Sequence, residues 1–165
     1  MLFNGLNKLD AAKRGPLEPG SLIEDFELLD QFGQLRRLSE FLVRGPAVLF
    51  FYPAAMTKGC TAESCHFRDL GAAFKEAGAQ RLGISRDYVK KQHKFSEKYG
   101  FDFPLLSDPE GKVAEVFGVK RKFTVTGVRR HTFVIGQDAR LLKEIASEFN
   151  MSAHADRALE FLAAR

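Results

Sequence analysis

Apolar residues in this chain form short continuous runs that alternate with longer segments of helical spacing. The clearest run, Ala47-Val-Leu-Phe-Phe-Tyr52, lies between two prolines and predicts a strand buried on both faces. Shorter runs of the same kind predict further strands, the last two of which form an antiparallel pair. The strands expected on this basis are residues 47–52, 81–85, 103–107, 131–135 and 141–149.

Near the N-terminus, two apolar segments flank Asp30-Gln-Phe-Gly33, a sequence that predicts a β-hairpin with Gly33 in its turn. A long helix is expected from Cys60 to Ala79, because Phe67, Leu70 and Phe74 recur at near-helical spacing. Capping and stop residues predict four more helical segments. They are a turn at 40–43, Tyr88–Tyr99 opened by Asp87, a short helix from Asp108 to Phe117, and Ala153–Arg165.

Strands that alternate with helices, followed by a hairpin and a last helix, indicate an α/β fold. We expect a three-layer sandwich in which helices flank a mixed central sheet, with the β-hairpin at its N-terminal side. The segment 1–20 is rich in glycine and proline and has little periodicity, so it is interpreted as an N-terminal extension. Residues 21–165 are predicted to form a single domain, which is an ordinary size for one core.

Charge and hydropathy limit the classes of function. The net charge is +4, and the basic residues are spread along the chain without a known nucleic-acid motif, so no nucleic-acid partner is predicted. The densest basic stretch, 120–130, is interpreted as solvated surface, with docking of an acidic partner as the alternative. No apolar run approaches the ~20 residues of a membrane span, and no secretory segment is evident. A cytoplasmic protein is expected, since two cysteines without a leader are typical of a reducing compartment.

Cys60 and Cys65 are the only cysteines, and they lie between the apolar strand and the long helix. A cysteine in the first turn of a helix is positioned for reactivity, because unpaired N–H groups and the helix dipole stabilise a thiolate. We expect Cys60 on an exposed turn, with Cys65 placed to capture its oxidised form. A structural role as a small buried residue is the alternative for each cysteine. A partial metal site with His66 is a weaker alternative, because the spacing fits no usual zinc pattern.

Ionisation alone supplies little of an enzyme's rate enhancement, so other groups must position an electrophile and stabilise charge. Thr57 lies three residues before Cys60 and can place its hydroxyl on the same side of the turn. Arg130, at the start of a predicted strand, can stabilise a thiolate and donate to an oxyanion, with Arg129 as its nearest rival. Glu63 is expected to orient an arginine. Arg68 is excluded, since eight helical residues rise roughly 12 Å.

The segment Pro53-x-x-x-Thr57-x-x-Cys60 resembles the active-site signature of peroxiredoxins, and Cys65 five residues later resembles their Q type (bacterioferritin comigratory protein). Similar segments, from Leu82-Gly-Ile-Ser85 to Arg130-His-Thr-Phe-Val-Ile135, extend the resemblance over nearly the whole chain from residue 21. The resemblance implies a thioredoxin-like fold and reduction of hydrogen peroxide and organic hydroperoxides. It implies that Cys60 is the peroxidatic cysteine and Cys65 the resolving cysteine, with Pro53, Thr57 and Arg130 forming the pocket.

The resemblance also implies that thioredoxin or a similar dithiol protein is the reductant, that the protein is a monomer, and that no metal or flavin takes part. Lys58 departs from the pattern, because many relatives have proline there. Two other functions stay open. They are a dithiol/disulfide oxidoreductase, for which Cys-x-x-Cys is the usual motif, and a redox sensor that uses the same chemistry.

Overall fold

The computed structural model describes residues 16–123 and 127–165. Most of the predicted extension, residues 1–20, therefore lies outside the described residues. The strands are β1 (Glu27–Leu29), β2 (Leu35–Arg37), β3 (Ala47–Phe51), β4 (Gln80–Ser85), β5 (Leu105–Ser107), β6 (His131–Ile135) and β7 (Leu141–Ala146). The helices are α1 (Leu38–Leu42), α2 (Lys58–Asp69), α3 (Gly71–Glu76), α4 (Val89–Tyr99), α5 (Lys112–Val116) and α6 (Met151–Ala163).

The strands form one mixed seven-stranded sheet in the order β2-β1-β5-β4-β3-β6-β7. Strands β3, β4 and β5 are parallel neighbours, and the other pairs are antiparallel. The predicted hairpin is confirmed as β1 and β2, and the carboxylate of Asp30 accepts hydrogen bonds from two backbone N–H groups in its turn. The mixed sheet and the α/β class predicted from the sequence are therefore correct.

Strand β3 lies in the middle of the molecule and is buried along its whole length, as its unbroken apolar run predicts. Alternate residues of β3 contribute to two separate cores, because successive side chains of a strand point to opposite faces. Leu49 and Phe51 belong to the core that α1 and α5 cover. Val48 and Phe50 belong to the other core, which is covered by α2, α3, α4 and α6 and includes Cys60. The three predicted layers are therefore present.

The prediction of one long helix from Cys60 to Ala79 is wrong in two respects, because the helical segment begins at Lys58 and is divided into two helices, α2 and α3. The break falls at Leu70, which has φ −90° and ψ 14°. Gly71 then lies against the ion pair of Arg81 with Asp102, where a Cβ atom would come within 3.1 Å of the guanidinium. The apolar spacing continues across Leu70, which explains why periodicity does not reveal the break.

Four other boundaries also differ from the sequence predictions. Helix α4 begins at Val89, and Asp87 does not cap it. Strand β7 ends at Ala146, and Asn150 accepts the backbone N–H of Ala153, so α6 begins at Met151. Strand β5 begins at Leu105, two residues later than predicted. Within the described residues, no helix is long and apolar enough to cross a membrane.

Candidate active site

A short loop connects β3 to α2, is held by two hydrogen bonds and includes one residue in a left-handed conformation. The N–H of Ala55 donates to the Asp87 carboxylate at 2.7 Å. Met56 adopts a left-handed conformation with φ 69°, which is uncommon for a residue other than glycine and indicates local strain. Thr57 is the N-cap residue of α2, and its hydroxyl donates to the carbonyl of Ala54 at 2.7 Å. The loop therefore has a defined path into the first turn of α2.

Cys60 is the third residue of α2 and its side chain is buried, with 1% of its surface exposed. The expectation of an exposed turn is therefore wrong, because the apolar core on this side of the sheet closes over the thiol. Among the described residues, the hydrogen-bond partner of the Cys60 sulfur is Arg130, whose Nη2 lies 3.4 Å from Sγ. The Arg130 guanidinium thus brings a positive charge and an N–H donor into contact with the Cys60 sulfur.

Arg130 reaches Cys60 because of strand order. Strand β6 runs antiparallel to β3, with Thr132 opposite Phe50, so the residue just before β6 lies beside the end of β3 where the loop begins. Arg130 is buried, whereas its predicted rival Arg129 is exposed. The backbone N–H of Arg130 donates to the Glu148 carboxylate at 3.2 Å. This geometry distinguishes the two arginines, which sequence position alone does not.

Glu63 holds the other end of the Arg130 guanidinium. Nη1 of Arg130 donates to Oε2 of Glu63 at 2.9 Å, and both side chains are buried. Burial raises the pKa of the Glu63 carboxyl to about 8, with Arg130 opposing the rise. Burial also works against the charge on Arg130, but Glu63 and Cys60 outweigh it and keep the pKa of Arg130 above its usual value. One guanidinium thus contacts the thiol and the carboxyl through two different nitrogens.

A buried histidine, which the sequence analysis does not identify, lies behind Glu63. Nε2 of His154 is 3.9 Å from Oε2 of Glu63 and donates to the carbonyl of Ser147 at 2.7 Å. Nδ1 of His154 then accepts from the hydroxyl of Thr132 at 2.8 Å. Burial lowers the pKa of His154. The neutral ring of His154 therefore connects α6 to β6 through Thr132, near the Glu63 carboxylate.

Cys65 lies on the second turn of α2, and both cysteines are free thiols. Its side chain is half-buried against the same core as Cys60. Burial raises the pKa of the Cys65 thiol, and Arg68 opposes the rise. Arg68 also donates to the carbonyl of Tyr99 at 2.7 Å.

In the described residues, no group of three side chains that could bind a metal ion together is present.

The remaining predicted residues, Pro53 and Thr57, lie in the loop between β3 and α2. Pro53 is half-buried and lies two residues after Phe51, the last residue of β3. Thr57 is exposed, and its observed hydrogen bond is to the loop carbonyl. Two further residues escaped the sequence analysis, namely Asp87, which anchors the loop, and Met151. A Cβ atom on Gly59 would lie 3.0 Å from the Met151 methyl and 3.3 Å from Arg130 Nη2, so Met151 packs against Gly59 in the first turn of α2.

A buried thiol at a helix N-terminus, in contact with an arginine and followed by a second thiol, is the arrangement of a cysteine-dependent redox enzyme. The model for the AhpC/TSA family matches residues 19–143. Peroxiredoxin Bcp of Escherichia coli is 39% identical over 153 residues, which cover 89% of this chain and 96% of the relative.

Two solved structures extend the comparison. Peroxidoxin BcpB from Mycobacterium tuberculosis shares 57% identity and a TM-score of 0.87, with 90% of this chain and 97% of that chain covered. The bacterioferritin comigratory protein of Xanthomonas campestris, studied for alkyl peroxide reduction, shares 32% identity and a TM-score of 0.76 over 84% and 90% of the two chains. The chain belongs to the AhpC/TSA family and is a Bcp/PrxQ-type peroxiredoxin, a thiol peroxidase with a thioredoxin-like fold and two cysteines, Cys60 and Cys65.

Proposed function

We propose that the protein is a thioredoxin-dependent peroxidase that reduces hydrogen peroxide and organic hydroperoxides. In this proposal Cys60 is the peroxidatic cysteine, and Cys65 resolves its sulfenic acid as an intramolecular disulfide. The observation that carries the proposal is the 3.4 Å contact of Arg130 Nη2 with the buried Cys60 sulfur, on a helix that also holds Cys65. Organic hydroperoxides are included because the X. campestris relative is linked to alkyl peroxide reduction.

In the first step, the Cys60 thiolate attacks the terminal oxygen of the peroxide. An S–O bond forms as the O–O bond breaks, the sulfur is oxidised to a sulfenic acid, and water or an alcohol leaves after taking a proton. Arg130 stabilises charge in this step, because it can donate both to the sulfur and to the peroxide oxygens. Glu63 acts as a positioning residue, since its contact at 2.9 Å fixes the second nitrogen of the guanidinium.

Pro53 and Thr57 complete the pocket in this proposal. Pro53 ends the buried strand and directs the loop away from the sheet, because its ring restricts φ and removes a donor. The Thr57 hydroxyl already donates to Ala54, so its oxygen lone pairs are left to accept a hydrogen bond from a bound hydroperoxide. Both residues therefore position the substrate.

In the second step, the Cys65 thiol attacks the sulfenic sulfur of Cys60, a disulfide forms, and water leaves. Residues five apart in a regular helix have Cα atoms roughly 8.6 Å apart, whereas a disulfide needs at most about 7 Å. The first turns of α2 must therefore unwind. The N-terminus of α2 is only weakly stabilised, since Thr57 makes no side-chain capping bond and the first turn has no acidic residue. This weak first turn favours the unwinding.

In the third step, a dithiol protein of the thioredoxin kind reduces the disulfide and returns both cysteines to thiols. This cycle requires a supply of reduced thioredoxin, which fits a cytoplasmic protein. Both cysteines of the cycle belong to one helix, so the chemistry needs no second copy of the chain, and we propose a monomer.

The experiment that tests the proposal compares wild type with Cys60→Ser and Cys65→Ser. Turnover is followed as NADPH oxidation with thioredoxin and thioredoxin reductase, and free thiols are counted after one equivalent of peroxide. Cys60→Ser should lose at least about a thousandfold in rate, because the nucleophile is absent. Cys65→Ser should consume about one equivalent of peroxide and then stop.

Two results contradict the proposal. Peroxide consumption by Cys60→Ser at the wild-type rate shows that Cys60 is not the nucleophile. Continued turnover of Cys65→Ser with thioredoxin at the wild-type rate shows that resolution does not need Cys65.

A further inference from the structure

Two open grooves adjoin each other beside the active-site loop. The first, here called the Lys90 groove, has a volume of about 760 Å³ and is lined by Pro53, Ala54, Lys90 and Lys94, among others. The second, the Phe123 groove, has a volume of about 660 Å³ and is lined by Lys120, Arg121, Lys122 and Phe123, among others. Arg86 lines both grooves, so the two form one continuous surface.

The positive charge of the chain is concentrated on this surface. Among the described residues, seven cationic side chains and two carboxylates line the two grooves, so these lining residues carry a net charge of +5. The whole chain carries a net charge of +4. The fold therefore brings together the basic residues of 86–94 and 120–122, which are separate in the sequence.

Both grooves contain residues next to the active site. The Lys90 groove includes Pro53 and Ala54, the first two residues of the loop that leads to α2. Arg121 of the Phe123 groove pairs with Glu148 at 3.3 Å, and Glu148 also accepts the backbone N–H of Arg130. A partner seated on this surface would therefore lie at the loop and beside the arginine that contacts the thiol.

The surface also carries two exposed aromatic side chains. Tyr88 in the first groove and Phe123 in the second are 74% and 99% exposed, and exposed aromatic residues are frequent anchors in interfaces. Within the described part of the chain, Lys91 pairs with Asp87, whereas Lys90 and Lys94 form no ion pair. Their charges are therefore available to a partner.

We propose that the Lys90 and Phe123 grooves together form the docking surface for the reductant, a dithiol protein with carboxylates around its dithiol. The inference rests on the proposed function. Hydrogen peroxide is small and uncharged and gains little from a positive field, whereas a charged macromolecule is steered by it. The unwinding that forms the disulfide occurs at the end of the loop that borders the first groove.

The docked partner completes thiol–disulfide exchange. A thiolate of the reductant attacks one sulfur of the Cys60–Cys65 disulfide, which breaks as a mixed disulfide forms. The second thiol of the reductant then attacks the mixed disulfide, so the reductant leaves oxidised and both cysteines of this protein are reduced.

The test is the double variant Lys90→Glu/Lys94→Glu, with Lys75→Glu/Lys98→Glu as the matched control. All four lysines are exposed helix positions, and both variants change the net charge equally. Lys75 is on α3 and Lys98 lies in the last turn of α4, and neither residue lines either groove. The reductant is a thioredoxin chosen for carboxylates around its dithiol, and uncharged dithiothreitol replaces it in a parallel assay.

We expect kcat/KM for thioredoxin to fall at least about tenfold in the groove variant and to depend less on salt than in wild type. The control should stay within about twofold of wild type. Oxidation by hydrogen peroxide and turnover with dithiothreitol should be unchanged in both variants, which shows that the fold and the thiol chemistry are intact.

Three results overturn the inference. An equal loss in both variants shows a general charge effect, and full activity of the groove variant with thioredoxin shows that docking lies elsewhere. Loss of binding to a single-stranded oligonucleotide, with unchanged kcat/KM for thioredoxin, shows a nucleic-acid surface instead. Failure of the proposed function is distinguishable, because wild type then consumes no hydroperoxide even with dithiothreitol.

Discussion

Arg130 is the residue on which the geometry of the site depends, because its guanidinium contacts two acidic groups through separate nitrogens. Nη2 lies 3.4 Å from the Cys60 sulfur, and Nη1 lies 2.9 Å from Glu63. A lysine has a single nitrogen on a flexible chain and cannot reproduce both contacts in a fixed plane. The shape of the guanidinium should therefore matter as much as its charge.

We predict that Arg130→Lys lowers kcat/KM for hydrogen peroxide about a hundredfold, because one preorganised donor is lost at the reacting sulfur. Arg129→Lys is the matched control, since Arg129 is exposed next to it and should keep nearly full activity. Single-turnover oxidation of the reduced proteins measures both. Equal rates for Arg130→Lys and wild type would mean that charge alone is sufficient.

At the residue scale, the candidate residues that the sequence indicates most directly are those whose spacing is local, whereas Arg130 could not be separated from Arg129 by position. Cys60, Cys65, Glu63 and Thr57 belong to one segment of the chain, and the structure places them on α2 or at its start. Asp87 was expected to open a helix, but its carboxylate holds Ala55 of the loop. Such a contact joins residues 32 apart, and no local pattern specifies it.

Helix α2 must both hold the thiol and release it. Its first residue, Lys58, is exposed, and Thr57 before it has φ −78° and ψ 156°. That extended conformation is the one that a residue before proline adopts, and proline is favoured at the first position of a helix. The chain has lysine at this position, which leaves the first turn of α2 without the restraint that proline would give.

We predict that Lys58→Pro stabilises the reduced protein by about 0.4–1 kcal/mol, or roughly 1–4 °C in melting temperature. Because the same turn must unwind for Cys65 to reach Cys60, disulfide formation should slow by about two- to fivefold. Lys58→Ala is the control, since it removes the charge without adding the ring. A faster disulfide step or a lower melting temperature in Lys58→Pro contradicts this account of α2.

At the element scale, prediction succeeds where one physical signal dominates. The unbroken apolar run of β3 and the glycine turn of the hairpin both predict the observed elements. The division between α2 and α3 was missed, because the apolar spacing continues across the break at Leu70. The start of α6 was placed two residues too late, because the cap formed by Asn150 lies outside the periodic segment.

At the scale of the whole molecule, sheet order creates the site and the charged surface. Cys60 and Arg130 are 70 residues apart, and they meet because β6 pairs with β3. Likewise, the residues of the Lys90 and Phe123 grooves come from segments before and after β5 in the chain, and Arg86 lines both grooves. Strand order is a long-range property, so the sequence indicates the strands but does not indicate which of them become neighbours.

The central claim is that Cys60 is oxidised and that Cys65 resolves it, and one peptide reports on both. Trypsin cuts after Lys58 and Arg68, so both cysteines remain in the peptide 59–68. Reduced protein is treated with equimolar peroxide, free thiols are blocked, and the peptide is weighed. We predict a mass two hydrogens below that of the dithiol peptide, with no blocking group. An oxidised Cys60 beside a blocked Cys65, or two blocked thiols, would contradict the account.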